Sequence, residues 1–220
     1  MKKKRVNFDT TTIPLPVLVG ETRIIYEWCQ TDKFELVSFG LKWEIVETLP
    51  VLCNNSEASF INCKIEKISL LQYKKNLEKK FKAASQTRGK ISERIRYSLD
   101  VADNHHTIPA YHRRRANSEI VEDLFNLAAM CNHFKELLER TGFDHNQAES
   151  LKQLSLELQK EHITYNVMVR DYRELRKLYF CTYHELYKAV QSIRKCAFEV
   201  FPPGSPRRNG YHSQYRKTHK

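Results

Sequence analysis

The chain is poor in the residues that build turns and loops, with six glycines and seven prolines among its 220 residues. All-β chains and intrinsically disordered chains are richer in these residues, so the composition argues against both classes. No apolar run approaches the roughly 20 residues that a membrane-spanning helix needs, and we expect no membrane segment. The chain is long enough to bury a sizeable core, as one domain or as two small ones.

The sequence also lacks the short motifs that mark common catalytic and cofactor sites. It contains no Walker-type phosphate loop, no G-x-G-x-x-G, no G-x-S-x-G and no H-E-x-x-H. The Glu-x-x-His motif that two helices of a di-metal bundle would carry is absent as well. We therefore predict a protein that is not an enzyme and that uses neither a cofactor nor a metal.

The six cysteines are scattered and form no C-x-x-C pair. Most fall on apolar faces of predicted helices, where a free thiol packs as a small hydrophobic side chain. One weaker alternative is a zinc site built from Cys181 and His184, one helical turn apart, with Cys131 or His133 as further ligands. We expect no signal peptide, since the apolar segment 13–20 is short and contains two prolines. The expected location is therefore the cytoplasm, whose reducing conditions make disulfides unfavourable.

Apolar residues recur at helical spacing along most of the chain, which predicts an all-α protein. The predicted helices cover about residues 16–37, 42–53, 57–84, 91–101, 117–140, 144–158 and 167–200. Gly40 and Gly142 are expected to end helices, and Gly40 can do so in the left-handed conformation. Further breaks are expected at residues 54–56 and 85–89, and Pro202-Pro203-Gly204 ends the last helix.

Residues 29–52 and 131–154 read as two copies of one segment. At an offset of 102, Cys29 aligns with Cys131, and Gly40 with Gly142. Repetition of this kind indicates a doubled architecture, here a six- to eight-helix bundle made of two tandem, pseudo-twofold-related repeats. The predicted organisation is a basic N-terminal arm (1–12), helical repeat 1 (13–103), a linker (104–116), helical repeat 2 (117–201) and a basic aromatic tail (202–220). The two repeats are expected to pack as one domain.

The net charge of +11 is concentrated in the two tails and the linker, and one basic face lies between Lys74 and Arg96. Cations neutralise phosphates and tyrosines stack on exposed bases, although the tail could instead fold against its own bundle through Tyr211 and Tyr215. The candidate contacts for nucleic acid or an acidic partner are the cationic and aromatic residues Arg113, Arg114, Arg115, Lys74, Lys75, Lys79, Lys82, Arg207, Arg208, Tyr211, Tyr215, Arg216 and Lys217.

Several segments resemble a group of uncharacterised all-helical proteins of Bacteroidota-type bacteria. The resemblance is carried by residues 41–50, 124–128, 142–144, 170–172, 183–186, 193–194 and 210–216. It implies an all-helical fold and a bacterial cytosolic origin, and it implies no catalytic residues.

The leading prediction is a helical interaction or adaptor protein with a protein partner, whose basic tails add affinity for acidic surfaces. The alternative is a nucleic-acid-binding protein that uses the C-terminal tail, the Arg113–Arg115 linker and the Lys74–Arg96 face. A homo-oligomer is also among the arrangements that the sequence allows.

Overall fold

The computed structural model describes residues 13–101, 117–140, 142–144 and 146–215. These residues form seven helices and no strand: α1 (Leu15–Thr31), α2 (Lys33–Ser38), α3 (Trp43–Val101), α4 (Asn117–His133), α5 (Lys135–Arg140), α6 (Asn146–Val200) and α7 (Pro206–Gly210). The all-α prediction is confirmed. None of the described helices combines the length and the apolar character needed to cross a membrane. The predicted N-terminal arm and linker lie outside the described residues.

Two helices are much longer than predicted. α3 runs unbroken for 59 residues and α6 for 55 residues, so the breaks predicted at residues 54–56 and 85–89, and between 158 and 167, are wrong. Ser56 is buried and donates its hydroxyl to the carbonyl oxygen of Thr182 at 3.1 Å. Arg88 is buried in an ion pair with Asp123. Because these polar groups find partners distant in sequence, packing overrides the local preference for a break.

Two predicted helices are each divided by a short irregularity. The helix expected over residues 16–37 is α1 followed by α2, and the helix expected over 117–140 is α4 followed by α5. Gly40 and Gly142 follow these helices with φ values of 107° and 77°. This confirms the predicted helix ends and the positive φ of Gly40, while the positive φ of Gly142 was not predicted. Not every apolar residue at helical spacing is buried, since Ile24, Ile68 and Leu71 are 47%, 65% and 55% exposed.

The described chain divides into two compact units, unit 1 within residues 1–66 and 172–220 and unit 2 within residues 67–171. The core of unit 1 comes from α1, α2, the first part of α3, the last part of α6 and the residues that follow α6. Leu18, Leu36, Leu186 and Val190 lie at its centre and have no exposed surface.

Unit 2 has its own core, from the last part of α3, α4, α5 and the first part of α6. Ile95 and Leu124 are fully buried there, and Leu138 and Leu151 are nearly so. Each unit therefore combines the short helices of one predicted repeat with the end of the long helix of the other. The repeat boundaries at 13–103 and 117–201 stay predictions, since the compact units follow packing and not chain order.

Candidate functional site

The predicted basic face on α3 contains three lysines on one side of the helix in unit 2. Lys75, Lys79 and Lys82 are exposed and make no hydrogen bond or ion pair within the described ranges. Their i, i+4, i+7 spacing places them within about 60° of one another around the helix axis. We call these three residues the lysine face. They present positive charge that no described acid neutralises.

Other basic residues of this segment are already engaged. Arg88 is buried against Asp123, so it cannot reach a partner in solution. Lys80 pairs with Glu161 and with Glu157, and hydrogen bonding to these carboxylates raises the pKa of Lys80. Lys74 lies 3.7 Å from Glu78 on the exposed surface, and a pair of this kind contributes little to stability.

The segment expected to be a basic tail folds against unit 1. The hydroxyl of Ser205 caps α7 by accepting the backbone N–H of Arg208 at 3.2 Å. Tyr211 follows with no exposed surface, and its hydroxyl donates to Asp32 at 3.1 Å. Burial and the nearby Cys29 and Asp32 raise the pKa of Tyr211 above its usual range. Because the ring of Tyr211 is buried, a base cannot stack on it, and Tyr211 is no longer a candidate contact for nucleic acid.

The cations of the same segment mostly contact unit 1 as well. Arg207 donates to Glu35 at 2.7 Å and lies 3.5 Å from Asp32. The guanidinium of Arg208 lies 5.2 Å from the ring centre of Phe198. These arginines therefore fasten the segment to the bundle, as the fold-back alternative anticipated. Arg216, Lys217 and the linker residues Arg113–Arg115 lie outside the described residues.

A buried ion pair in unit 1 was not anticipated from the sequence. Nη2 of Arg194 lies 2.6 Å from Oε2 of Glu21, and the two side chains are 5% and 8% exposed. Glu21 also accepts from the hydroxyl of Ser213 at 2.8 Å and from the backbone N–H of Tyr215 at 3.2 Å. Burial raises the pKa of Glu21, but these hydrogen bonds outweigh it and hold the pKa below the usual 4.5. A sequence signal for this buried pair is that Arg194 directly follows Ile193, an apolar residue that is buried in unit 1.

The residues of the zinc hypothesis are divided between the two units. Cys181 and His184 are exposed on α6 in unit 1, whereas Cys131 and His133 belong to α4 in unit 2. Across the described ranges, no group of three or more His, Cys, Asp or Glu side chains is arranged to hold a metal ion. His184 instead lines a cavity of about 220 Å³ together with Tyr179, Phe180 and Tyr183.

Unit 1 also exposes three large apolar side chains, close together along the chain, that were not among the predicted contacts. On α2 and the turn after it, Phe34, Val37 and Phe39 are 82%, 43% and 54% exposed. We call these three residues the Phe34 patch. Leu36, about 160° from Phe34 around the axis of the same helix, is fully buried and anchors α2 to the core. Clustered exposed apolar side chains on a folded surface are typical of interaction sites.

Comparison with known proteins adds no family assignment. No protein-family model matches the chain, and neither a curated protein nor a solved structure matches it. The resemblance to the Bacteroidota-type proteins therefore stays a prediction, and the functional argument depends on the surfaces described above.

Proposed function

We propose that the protein is a non-enzymatic interaction or adaptor protein and that the Phe34 patch is its principal contact with a protein partner. The observation that carries this proposal is the 82% exposure of Phe34. Burying a side chain of this type in an interface contributes about 1.5–3 kcal/mol to binding, because its apolar surface is removed from water. Buried aromatic side chains are frequent anchors of protein interfaces.

The surroundings of the patch support the same proposal. Charged residues of both signs border it, including the exposed pair of Arg207 and Glu35 and the ammonium of Lys33, which lies 4.4 Å from the ring centre of Trp43. An apolar centre with a polar rim is typical of interfaces between separately folded proteins. Because Leu36 holds α2 in place, little ordering is needed before a partner binds.

Affinity purification from the native host, with nuclease added, tests this proposal. We expect a salt-tolerant complex with the parent protein and loss of the same partner with Phe34→Ser. Val51→Ser is the matched control, since Val51 is 58% exposed on α3 in the same unit. A partner retained by Phe34→Ser, or lost equally by both variants, would contradict the proposal. Thermal unfolding should change little in either variant, because both side chains are exposed.

Nucleic-acid binding through the lysine face is the second candidate function. The side chains of Lys75, Lys79 and Lys82 are free of described partners, and Tyr97, about four turns beyond Lys82 on α3, exposes 66% of its surface. Free cations release counterions when they neutralise phosphates, so affinity would fall steeply with salt.

Binding of the full chain to duplex DNA at several salt concentrations tests this second candidate. Replacing the three lysines by alanine should reduce the slope of log K against log salt by about 2.7, or roughly 0.9 per phosphate contact. Alanine at the exposed Lys152, Lys160 and Lys188 removes the same charge elsewhere and is the control. Equal slopes in the two triple variants would count against a specific lysine face.

We also infer that the chain contains a duplicated helical unit. The supporting observation is that the helix bounds repeat at the offset of 102: α1 and α4 each contain 17 residues, and α2 and α5 each contain six. The hydrogen bond from Leu41 N to Leu36 O recurs from Phe143 N to Leu138 O, at 3.0 and 2.9 Å. Superposing residues 15–60 on 117–162 in an experimental structure tests the pseudo-twofold repeat, and a poor fit would remove it.

A cytoplasmic location belongs to the same proposal. Fractionation of the native host with an antibody against the protein tests it, and recovery outside the cytoplasm would contradict it.

A further inference from the structure

We propose that a groove in unit 2 binds a small phosphate monoester of the nucleoside monophosphate class. The groove has a volume of about 390 Å³, within the range of small-molecule sites. Its walls come from α3 and α6, and its lining residues are Thr87, Lys90, Ile91, Arg94, Gln147, Ser150, Leu151 and Leu154. We call it the unit 2 groove. None of these residues belongs to the Phe34 patch or to the lysine face, so this inference is independent of both proposed functions.

Two cations provide the site for the phosphate. Lys90 is exposed and makes no ion pair or hydrogen bond with any described residue. Arg94, one turn later on α3, donates from Nη2 to the carbonyl oxygen of Gly142 at 2.7 Å, and its guanidinium lies 5.8 Å from the ring centre of Phe143. These contacts fix the plane of the guanidinium while other N–H groups remain for a ligand. Among the described residues no carboxylate lines the groove, so its polar wall favours an anion.

Neutral polar groups lie on the same walls. The side chains of Thr87 and Gln147 make no hydrogen bond within the described part of the chain. The hydroxyl of Ser150 donates to the carbonyl oxygen of Asn146 at 2.9 Å, which leaves its oxygen able to accept. The groove thus offers an amide and two hydroxyls, groups that can bind the edge of a base or a sugar hydroxyl.

The floor of the groove is apolar. Ile91 and Leu151 are 9% and 1% exposed, and Leu154 is half-buried beside them in the core of unit 2. An apolar floor next to two cations suits a ligand with an apolar ring at one end and a phosphate at the other. Inorganic phosphate would use only the cationic wall, and a nucleoside only the floor and the neutral groups.

Calorimetric titration of the full chain at low salt with three probes tests this inference: adenosine 5′-monophosphate, inorganic phosphate and adenosine. We expect the nucleotide to bind more tightly than either of its parts. Lys90→Glu should weaken nucleotide binding by about tenfold or more, because a hydrogen bond to a charged group contributes about 1.5–3 kcal/mol. Gln147→Ala should weaken the nucleotide and adenosine but not phosphate.

Lys67→Glu is the matched control, since it makes the same charge change at an exposed lysine of the same helix and unit, about 35 Å from Lys90 along the axis and outside the lysine face. It should bind the nucleotide as the parent protein does. Absence of nucleotide binding by the parent at millimolar concentration would overturn the inference. So would equal affinities for the three probes, or equal losses in Lys90→Glu and Lys67→Glu. Unchanged thermal unfolding of Lys90→Glu shows that its loss of binding is not a loss of folding, because Lys90 makes no described contact.

Discussion

Unit 1 and unit 2 carry the same buried feature with different access to water. Glu21 on α1 and Asp123 on α4 are 102 residues apart, and each pairs with a buried arginine of a long helix, Arg194 in unit 1 and Arg88 in unit 2. The Glu21 side chain is 8% exposed, whereas that of Asp123 is 20% exposed. The C-terminal segment makes the difference, since Ser213 and Tyr215 both donate to Glu21.

A buried ion pair of the same kind can therefore affect the free energy of unfolding differently in unit 1 and in unit 2. A buried ion pair is weak evidence for stability as a pair, but removing one partner is strongly destabilising because a charge remains buried. The penalty depends on whether the remaining charge can reach water. Unit 1 should therefore be the less tolerant of the two.

Removal of the buried arginines gives the largest expected effect. Arg194→Met leaves Glu21 as a buried carboxylate without its cation, and we expect the free energy of unfolding to fall by about 3–5 kcal/mol. Arg88→Met should lower it less, since Asp123 is partly exposed. Urea unfolding of the full chain, followed by circular dichroism, measures both. An equal or larger loss of stability in Arg88→Met would contradict the expected difference between the two units.

The two turn glycines, Gly40 in unit 1 and Gly142 in unit 2, allow the backbone turns of the two units to be compared. A Cβ at Gly40 or Gly142 would meet no atom within 4 Å, so alanine tests conformation alone. We expect each substitution to cost about 1–2 kcal/mol. Gly40→Ala should cost more, because its φ of 107° lies further from the left-handed minimum near about 57° than the 77° of Gly142. The same urea experiment checks the order, and the reverse order would show that relaxation differs between the turns.

Acidification should act on unit 1 through Glu21. Its pKa is lower in the folded protein than the usual 4.5, so the folded state binds this proton less readily than the unfolded state. The resulting stabilisation is present above about pH 4.5 and is lost as the pH falls through the folded pKa. Glu21→Gln should be less stable at neutral pH yet lose less between pH 7 and about pH 3.5. An identical loss in the parent protein and the variant would remove Glu21 as the cause.

The smallest expected effect is a difference in cysteine reactivity. Burial raises the pKa of Cys29 to about 12 and that of Cys131 to about 11, and the thiolate is the reactive form. Cys181 is exposed, so iodoacetamide should alkylate it first, as followed by peptide mass spectrometry. Cys131 should react before Cys29, because Cys29 lies beneath the C-terminal segment. Faster reaction of Cys29 would show that unit 1 opens more readily than unit 2.

The helical character and the two glycine turns could be predicted because they depend on neighbours in the sequence. Periodic apolar residues predict helices, and Gly40 and Gly142 stand at the expected ends. The breaks predicted near Ser56 and Arg88 failed because the hydrogen-bond partners of these residues lie far along the chain, at Thr182 and Asp123. The lysine face was among the predicted contacts, while the Phe34 patch had no signal that distinguished it from a buried stripe.

The sequence by itself determined that this chain is all-helical, where its short helices turn and that its positive charge exceeds its negative charge. Tertiary structure alone decided which charges are buried, which aromatic residues face water and that the segment containing Tyr211 folds onto unit 1. The physical reason is that backbone conformation responds to nearby residues, whereas burial of a polar group is acceptable only when a partner is brought to it by the fold.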